Sequence, residues 1–260
     1  MSAIQQILNQ TQHRPWPLPS GKWQYYQEWN NALFFHWEVP FEKLRKLVPE
    51  FLTLDNFEGK YYISLVAFSM QQIRPRNLPA VKFLSDFHEI NVRTYIDMDN
   101  KKGVYFLNIE AEKALSVWVA RKLSGLPYEK ASIRFDPGRY HSVNNTKGFR
   151  LDTRFSISET IGDKTALDLW LTERYCLYLD RRGDFFRFDI HHPEWKLKHV
   201  KLEQAETNYQ LGDINLRADD TLLAHYSKGV SVLSWKKTTL SRSETQEFSD
   251  AFLSDNIQNQ

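Results

Sequence analysis

Phe87–Met98 reads FHEINVRTYIDM, and Gly103–Ile109 reads GVYFLNI. In the first stretch Phe87, Glu89, Asn91, Arg93 and Tyr95 fall on one face of an extended chain. Ile90, Val92, Thr94 and Ile96 fall on the other, because side chains alternate along a strand. Asp99-Asn100-Lys101-Lys102-Gly103 between the stretches has the turn chemistry of a hairpin. A row of Glu, Asn and Arg is ordinarily the solvated face of a sheet. Phe87 and Tyr95 in the same row argue for burial instead. Buried, such a row is costly unless paired, which points to a site for something polar. Both readings stand at this level.

Working outward, Ala32–Val39 and Tyr61–Ile73 read as strands. So do Ala131–Phe135, Phe149–Ile157, Ala166–Leu179, Asp184–Ile190, Trp195–Gln204 and Leu222–Ser234. Arg181-Arg182-Gly183-Asp184 reads as a second hairpin turn. Helical spacing is confined to residues 1–12, to Pro40–Glu50 with Leu44, Leu47 and Val48 on one face, and to Ala114–Ser124, capped by Gly125. Three prolines in Arg14–Pro19 force an extended arm over residues 13–22, pinned by Trp16 and Leu18. Many strands with few helices predict a mostly β (α+β) chain, an antiparallel double sheet or closed barrel. No linker interrupts the pattern, so residues 1–236 read as one domain, followed by a polar tail at 237–260.

Composition narrows the function. Of 260 residues, 42% are hydrophobic and 14% aromatic, enough for a large core, and the net charge of +2 is dispersed. Arg181-Arg182 and Lys236-Lys237 are too short to be a nucleic-acid footprint. Cys176 is the only cysteine, which leaves no intrachain disulfide. No secretory leader and no apolar run of about 20 residues is seen, so the expectation is a cytoplasmic protein without membrane partners. There is no HExxH, GxSxG or phosphate-binding glycine loop, so neither metal nor cofactor is expected. In His191-His192-Pro193-Glu194 the adjacent histidines of an extended chain point oppositely, which favours a structural turn. His36, among Phe34, Phe35 and Trp37, reads as a buried histidine bonded to backbone, with a proton carrier at a cavity edge as the alternative. Arg74-Pro75-Arg76 reads either as a rim or as a solvated loop, and an internal ion pair is expected at Glu173-Arg174.

Six segments occur in register: RPWPLP, FFHWEVP, FHEINVRTY, ARKLSGLPY, LTERYCLY and HHPEW, running from Arg14 to Trp195. Together with LRKLVPEFLTLD at Leu44–Asp55 they resemble the YqjF-like branch of the acetoacetate decarboxylase superfamily, a group of conserved proteins of unknown function. The resemblance implies a closed β-structure around an internal cavity, with Glu89 as the pocket glutamate and Arg121 as the arginine of the helix-to-turn motif. In the decarboxylases a lysine follows the proline of that turn and forms a Schiff base, with a second lysine lowering its pKa. Here Tyr128 and Glu129 stand at those positions. A phenol has no nitrogen for an iminium. Lys130 is two residues further on, roughly 6–7 Å along a strand.

The expected site is therefore a polar cavity holding Glu89, Asn91, Arg93, Arg121 and Tyr128, with Arg93 or Arg121 gripping a carboxylate. Glu89 is either a base or the arginine's partner. Three functions remain open. One is a cavity acting on a small organic acid without a Schiff base, with Glu89 and Tyr128 in acid–base roles as a lyase or hydrolase. Another is a non-catalytic ligand-binding or sensing module. The third is a decarboxylase using the shifted Lys130. A homodimer is compatible with the apolar arm.

Overall fold

A computed structural model describes residues 2–112, 128–181 and 184–240 of the chain. The central hairpin turns on Asp99 and Asn100, at φ 53° and 59°, the left-handed pair that a two-residue hairpin turn needs. It joins β4 (Phe87–Met98) to β5 (Lys101–Ala111), with Met98 opposite Lys101. Before them come β1 (Tyr25–Val39), β2 (Thr53–Leu54) and β3 (Tyr61–Pro75). After them come β6 (Glu129–Lys130), β7 (Ser132–Asp136), β8 (Arg139–Asn144), β9 (Phe149–Thr160), β10 (Cys176–Arg181) and β11 (Asp184–His191). The last are β12 (Leu197–Leu211), β13 (Ile214–Leu216), β14 (Leu223–Ser234) and β15 (Thr238–Leu240).

The strands form one large sheet in the order β15-β11-β10-β5-β4-β3-β1-β14-β12-β9-β8-β7. Pairing is antiparallel except where β10 and β6 run parallel to β5. Ile190 and His191 of β11 also pair with Ser234 and Leu233 of β14, so the path through β10, β5, β4, β3, β1 and β14 returns to its start. Gly103 permits this arrangement: a Cβ there would meet the Cys176 carbonyl at 2.5 Å.

Because the sheet curls, β4 has no solvated face. Ile90, Val92 and Ile96 pack with Leu33, Phe35 and Leu65 in the largest core. Phe87 packs on the opposite side with Phe34, Val66 and Phe68. The row from Glu89 to Tyr95 is buried with them, which decides between the two sequence readings.

Several expectations change, and β1 starts at Tyr25 where Ala32 was expected. Ala166–Leu179 is not one strand: Ala166–Thr172 is a helix, and the strand starts at Cys176. Thr165 caps that helix, accepting from Asp168 N while the Asp168 carboxylate accepts from Thr165 N, a reciprocal capping box. The helix after Pro40 is shorter than expected, Phe41–Arg45, though Leu44 and Val48 are buried as its spacing required. Ala3–Asn9 is helical, and Trp16 and Leu18 of the arm pack on the domain as expected. The tail contributes Thr238–Leu240 to the sheet, paired with β11. The expected helix Ala114–Ser124, with Arg121, lies outside the described residues, as do residues 182–183 of the second hairpin turn. Among the described residues no helix is long and apolar enough to cross a membrane.

Candidate functional site

Two irregularities in the ladder build a cavity. In β1 the register slips between Asn30 and Leu33, with Asn31 at φ 54°. The slip changes the parity of the strand, since one extra residue exchanges the two faces. Gln27 and Trp29 before it and Ala32 and Phe34 after it therefore all face inward. Gly229 sits across from Asn30 at φ 134°, where a Cβ would strike Asn30 and the Trp29 carbonyl. A second slip, opposite Val92 and Arg93, turns Phe106 of β5 toward the same space.

The result is a cavity of about 60 Å³. Trp29, Phe34, Phe68, Phe106 and Trp195 supply aromatic walls, while Glu89, Asn91, Arg93 and Tyr128 supply the polar groups. Four of the five predicted site residues are thus together. Arg121 lies outside the described residues.

The Tyr128 hydroxyl donates to Glu89 Oε2 at 2.7 Å, and Asn91 Nδ2 donates to Glu89 Oε1 at 3.3 Å. Burial raises the Glu89 carboxyl to about 7, against the lowering effect of these two donors. Burial, with Glu89 beside it, holds the Tyr128 phenol well above its ordinary range. At neutral pH the pair can therefore gain or lose a proton at Glu89.

Arg93 differs from Arg174, the buried arginine that pairs with Asp55. It is 7% exposed, yet no described carboxylate lies within ion-pair distance of it. Its Nε has no hydrogen-bond partner, and neither has Asn91 Oδ1. Its guanidinium carbon lies 5.9 Å from the centre of the Phe34 ring. Burial lowers its pKa, opposed by the Tyr95 oxygen. Of the two expected roles for Glu89, partner to an arginine is not the one observed with Arg93.

The other singled-out residues have structural contacts. Lys130 is exposed at the edge strand β6 and does not line the cavity. His191 Nε2 lies 2.8 Å from the Ile7 carbonyl, and His192 Nδ1 lies 2.8 Å from the Pro193 carbonyl. Arg174 makes the expected internal ion pair, with Asp55 at 2.7 Å. Burial lifts the Cys176 thiol to about 12, so it is protonated at neutral pH. Arg74 and Arg76 lie over the rings of Tyr26 and Trp23. His36 is fully buried, but its partners are side chains, Ser64 and His225, not backbone.

Sequence reasoning missed the aromatic walls and the partners of His36. Trp29 and Phe34 reach one cavity only through the slip at Asn31. Its sole local sign was the pair Asn30-Asn31 just before the expected strand Ala32–Val39, Asn being a residue that tolerates positive φ.

Comparison with known proteins agrees with this architecture. Residues 26–231 match the model of a family described as an uncharacterized conserved protein, DUF2071. The uncharacterized protein YqjF of Bacillus subtilis (strain 168) is 36% identical over 226 residues, covering 84% of this chain and 93% of the relative. Among solved structures, an acetoacetate decarboxylase-like enzyme from Sphingomonas wittichii RW1 superposes with a TM-score of 0.56 at 12% identity, covering 85% of this chain and 94% of that one. The enduracididine biosynthesis enzyme MppR complexed with pyruvate does so with a TM-score of 0.57 at 10% identity, covering 87% and 93%.

Proposed function

The chain belongs to the DUF2071 family of uncharacterized conserved proteins, and on that footing we propose that its cavity binds a small organic acid without forming a Schiff base. The observation that carries this reading is Arg93, a buried guanidinium lining the cavity with no carboxylate within ion-pair distance among the described residues. A buried cation is costly until paired, so an anion entering the cavity gains the compensation that the fold withholds. Arg93 takes the carboxylate, and the open oxygen of Asn91 accepts from a hydroxyl or amide on the ligand. The aromatic walls hold its short apolar part.

Size limits the class. At roughly 15 Å³ for each water-sized group, 60 Å³ admits about four such groups, the scale of acetate to pyruvate. The pyruvate of MppR, on a shared fold, supports the same class of ligand. Glu89 and Tyr128 would exchange a proton with the bound acid near neutral pH, which makes acid–base chemistry feasible there. A binding module that only holds its ligand uses the same residues, and turnover separates the two.

Titration calorimetry with acetate and pyruvate on wild type and Arg93→Met tests the reading. Wild type binds, and the variant loses at least tenfold in affinity. Equal affinities remove Arg93 from the site. The lysine alternative is tested by borohydride reduction in the presence of acetoacetate. Unchanged mass is expected, since Lys130 is exposed and does not line the cavity; an adduct on a lysine would restore Schiff-base chemistry.

A further inference from the structure

Beside Arg93 lies a set of buried polar side chains that the proposed function does not use. Along the strands, Phe34, Val66 and Asn91 form one rung, and His36, Ser64 and Arg93 form the next on the same face. Ser64 therefore stands directly across from Arg93 and directly across from His36. From this rung a single line of hydrogen bonds leads away from the cavity. Tyr95 Oη lies 2.5 Å from Ser64 Oγ, which lies 2.6 Å from His36 Nδ1. His36 Nε2 lies 3.3 Å from His225 Nδ1, and His225 Nε2 lies 2.9 Å from Asp168 Oδ1.

All five side chains are less than a tenth exposed or fully buried. The outer two, His225 and Asp168, line a second pocket of about 490 Å³ together with Thr165 and His199. Gly162 and Asp163 on its rim are exposed, so it opens to solvent.

We propose that Tyr95, Ser64, His36, His225 and Asp168 form a hydrogen-bonded relay that carries the protonation state of this surface pocket inward to the rung of Arg93. The donor count allows two complete arrangements. In one, Tyr95 donates to Ser64, Ser64 to His36 Nδ1, His36 Nε2–H to His225 Nδ1, and His225 Nε2–H to the Asp168 carboxylate. In the other every bond is reversed. Protonated Asp168 donates to His225 Nε2, each following group donates inward, and the Tyr95 hydroxyl turns to the Leu171 carbonyl 3.0 Å away. Both leave each imidazole neutral, with one N–H and one acceptor nitrogen.

The second arrangement holds one proton more than the first. Passing from the first to the second takes up one proton from the surface pocket. It breaks the His36 Nε2–H and His225 Nε2–H bonds and forms His36 Nδ1–H, His225 Nδ1–H and Asp168 O–H bonds, while the Ser64 and Tyr95 hydroxyls reorient. Passing back releases that proton to the pocket, and no electrons move.

The charged surroundings favour tautomer exchange over a standing imidazolium. Arg93 and His225 face His36, and burial holds its imidazole neutral. Lys164 and His199 face His225, opposed by Asp168, and burial again prevails. Arg174 lies 4.8 Å from the centre of the Tyr95 ring. A neutral relay moves a proton without leaving a buried charge on either histidine.

The relay stands whatever the cavity binds, and its test needs no ligand. Long-range proton–nitrogen correlation spectra of the uniformly 15N-labelled full chain show which ring nitrogen of each histidine carries the proton. His36 and His225 are expected to carry it on like nitrogens, both Nε2 at high pH and both Nδ1 at low pH, changing together at one midpoint. Unlike nitrogens, or two separate midpoints, would overturn the proposal. Asp168→Asn should abolish the pH-driven change at His36, which has no contact with residue 168. A His36 that still switches in this variant also overturns it. The wild-type spectra decide the matter even if the variant fails to fold.

Discussion

Arg93 and Arg174 are both buried and both approach Tyr95, and they are solvated by the protein in opposite ways. Arg174 meets Asp55 at 2.7 Å, donates through Nε to the Trp170 carbonyl, and stacks on Tyr95 and Trp170. Lys102 completes the cluster by pairing with Asp55 at 2.9 Å. Arg93 has an aromatic face beside it and a cavity in front of it, without a carboxylate. A cation whose compensation is built in holds the fold together. A cation whose compensation is left out holds a place for something else.

The sharpest way to break this contrast is to make Arg174 resemble Arg93. Asp55→Ala leaves the Arg174 charge buried without its partner and should cost about 3–5 kcal/mol, read from urea unfolding at neutral pH. A loss under about 1 kcal/mol would mean that the two arginines are not distinguished by their pairing.

Glu89 gives the next largest effect. Its folded carboxyl titrates at about 7 against an ordinary value of 4.5. Between these values the unfolded chain releases a proton that the folded chain keeps. The contribution of Glu89 to stability therefore falls as pH rises from about 4.5 to 7, by about 3 kcal/mol, and the loss is complete above 7. Glu89→Gln keeps an acceptor for Tyr128 and cannot ionise. It should match wild type near pH 4.5 and exceed it by about 3 kcal/mol at pH 8. Parallel stability–pH curves for the two proteins would show that Glu89 is not shifted.

The smallest effect is expected outside the cavity. Lys130→Met should change stability by less than about 0.5 kcal/mol, as exposed sites ordinarily do, and leave acetate affinity unchanged in calorimetry. A tenfold loss of affinity would bring Lys130 into the site.

Local pattern and tertiary structure divided the work along a clear line. The alternation in Phe87–Met98 settled the bounds of β4 and which residues share a face, because a strand has a period of two whatever packs on it. Asp99-Asn100 likewise specified a tight hairpin through their tolerance of positive φ. Ala166–Thr172 misled, because seven helical residues are too few to show a helical period, and only the Thr165–Asp168 capping box distinguishes them from a strand.

Three features lay beyond any local reading. Whether the polar row of β4 faced water depended on the curling of the sheet, which brings β11 back to β14. Which aromatic rings met at the cavity depended on the slip at Asn31. The line from Tyr95 to Asp168 joins residues from four strands and a helix, with His36 and His225 separated by 189 positions. Side-chain direction follows from the chain's own periodicity. Burial and hydrogen-bond partnership follow from closure, which no short stretch contains.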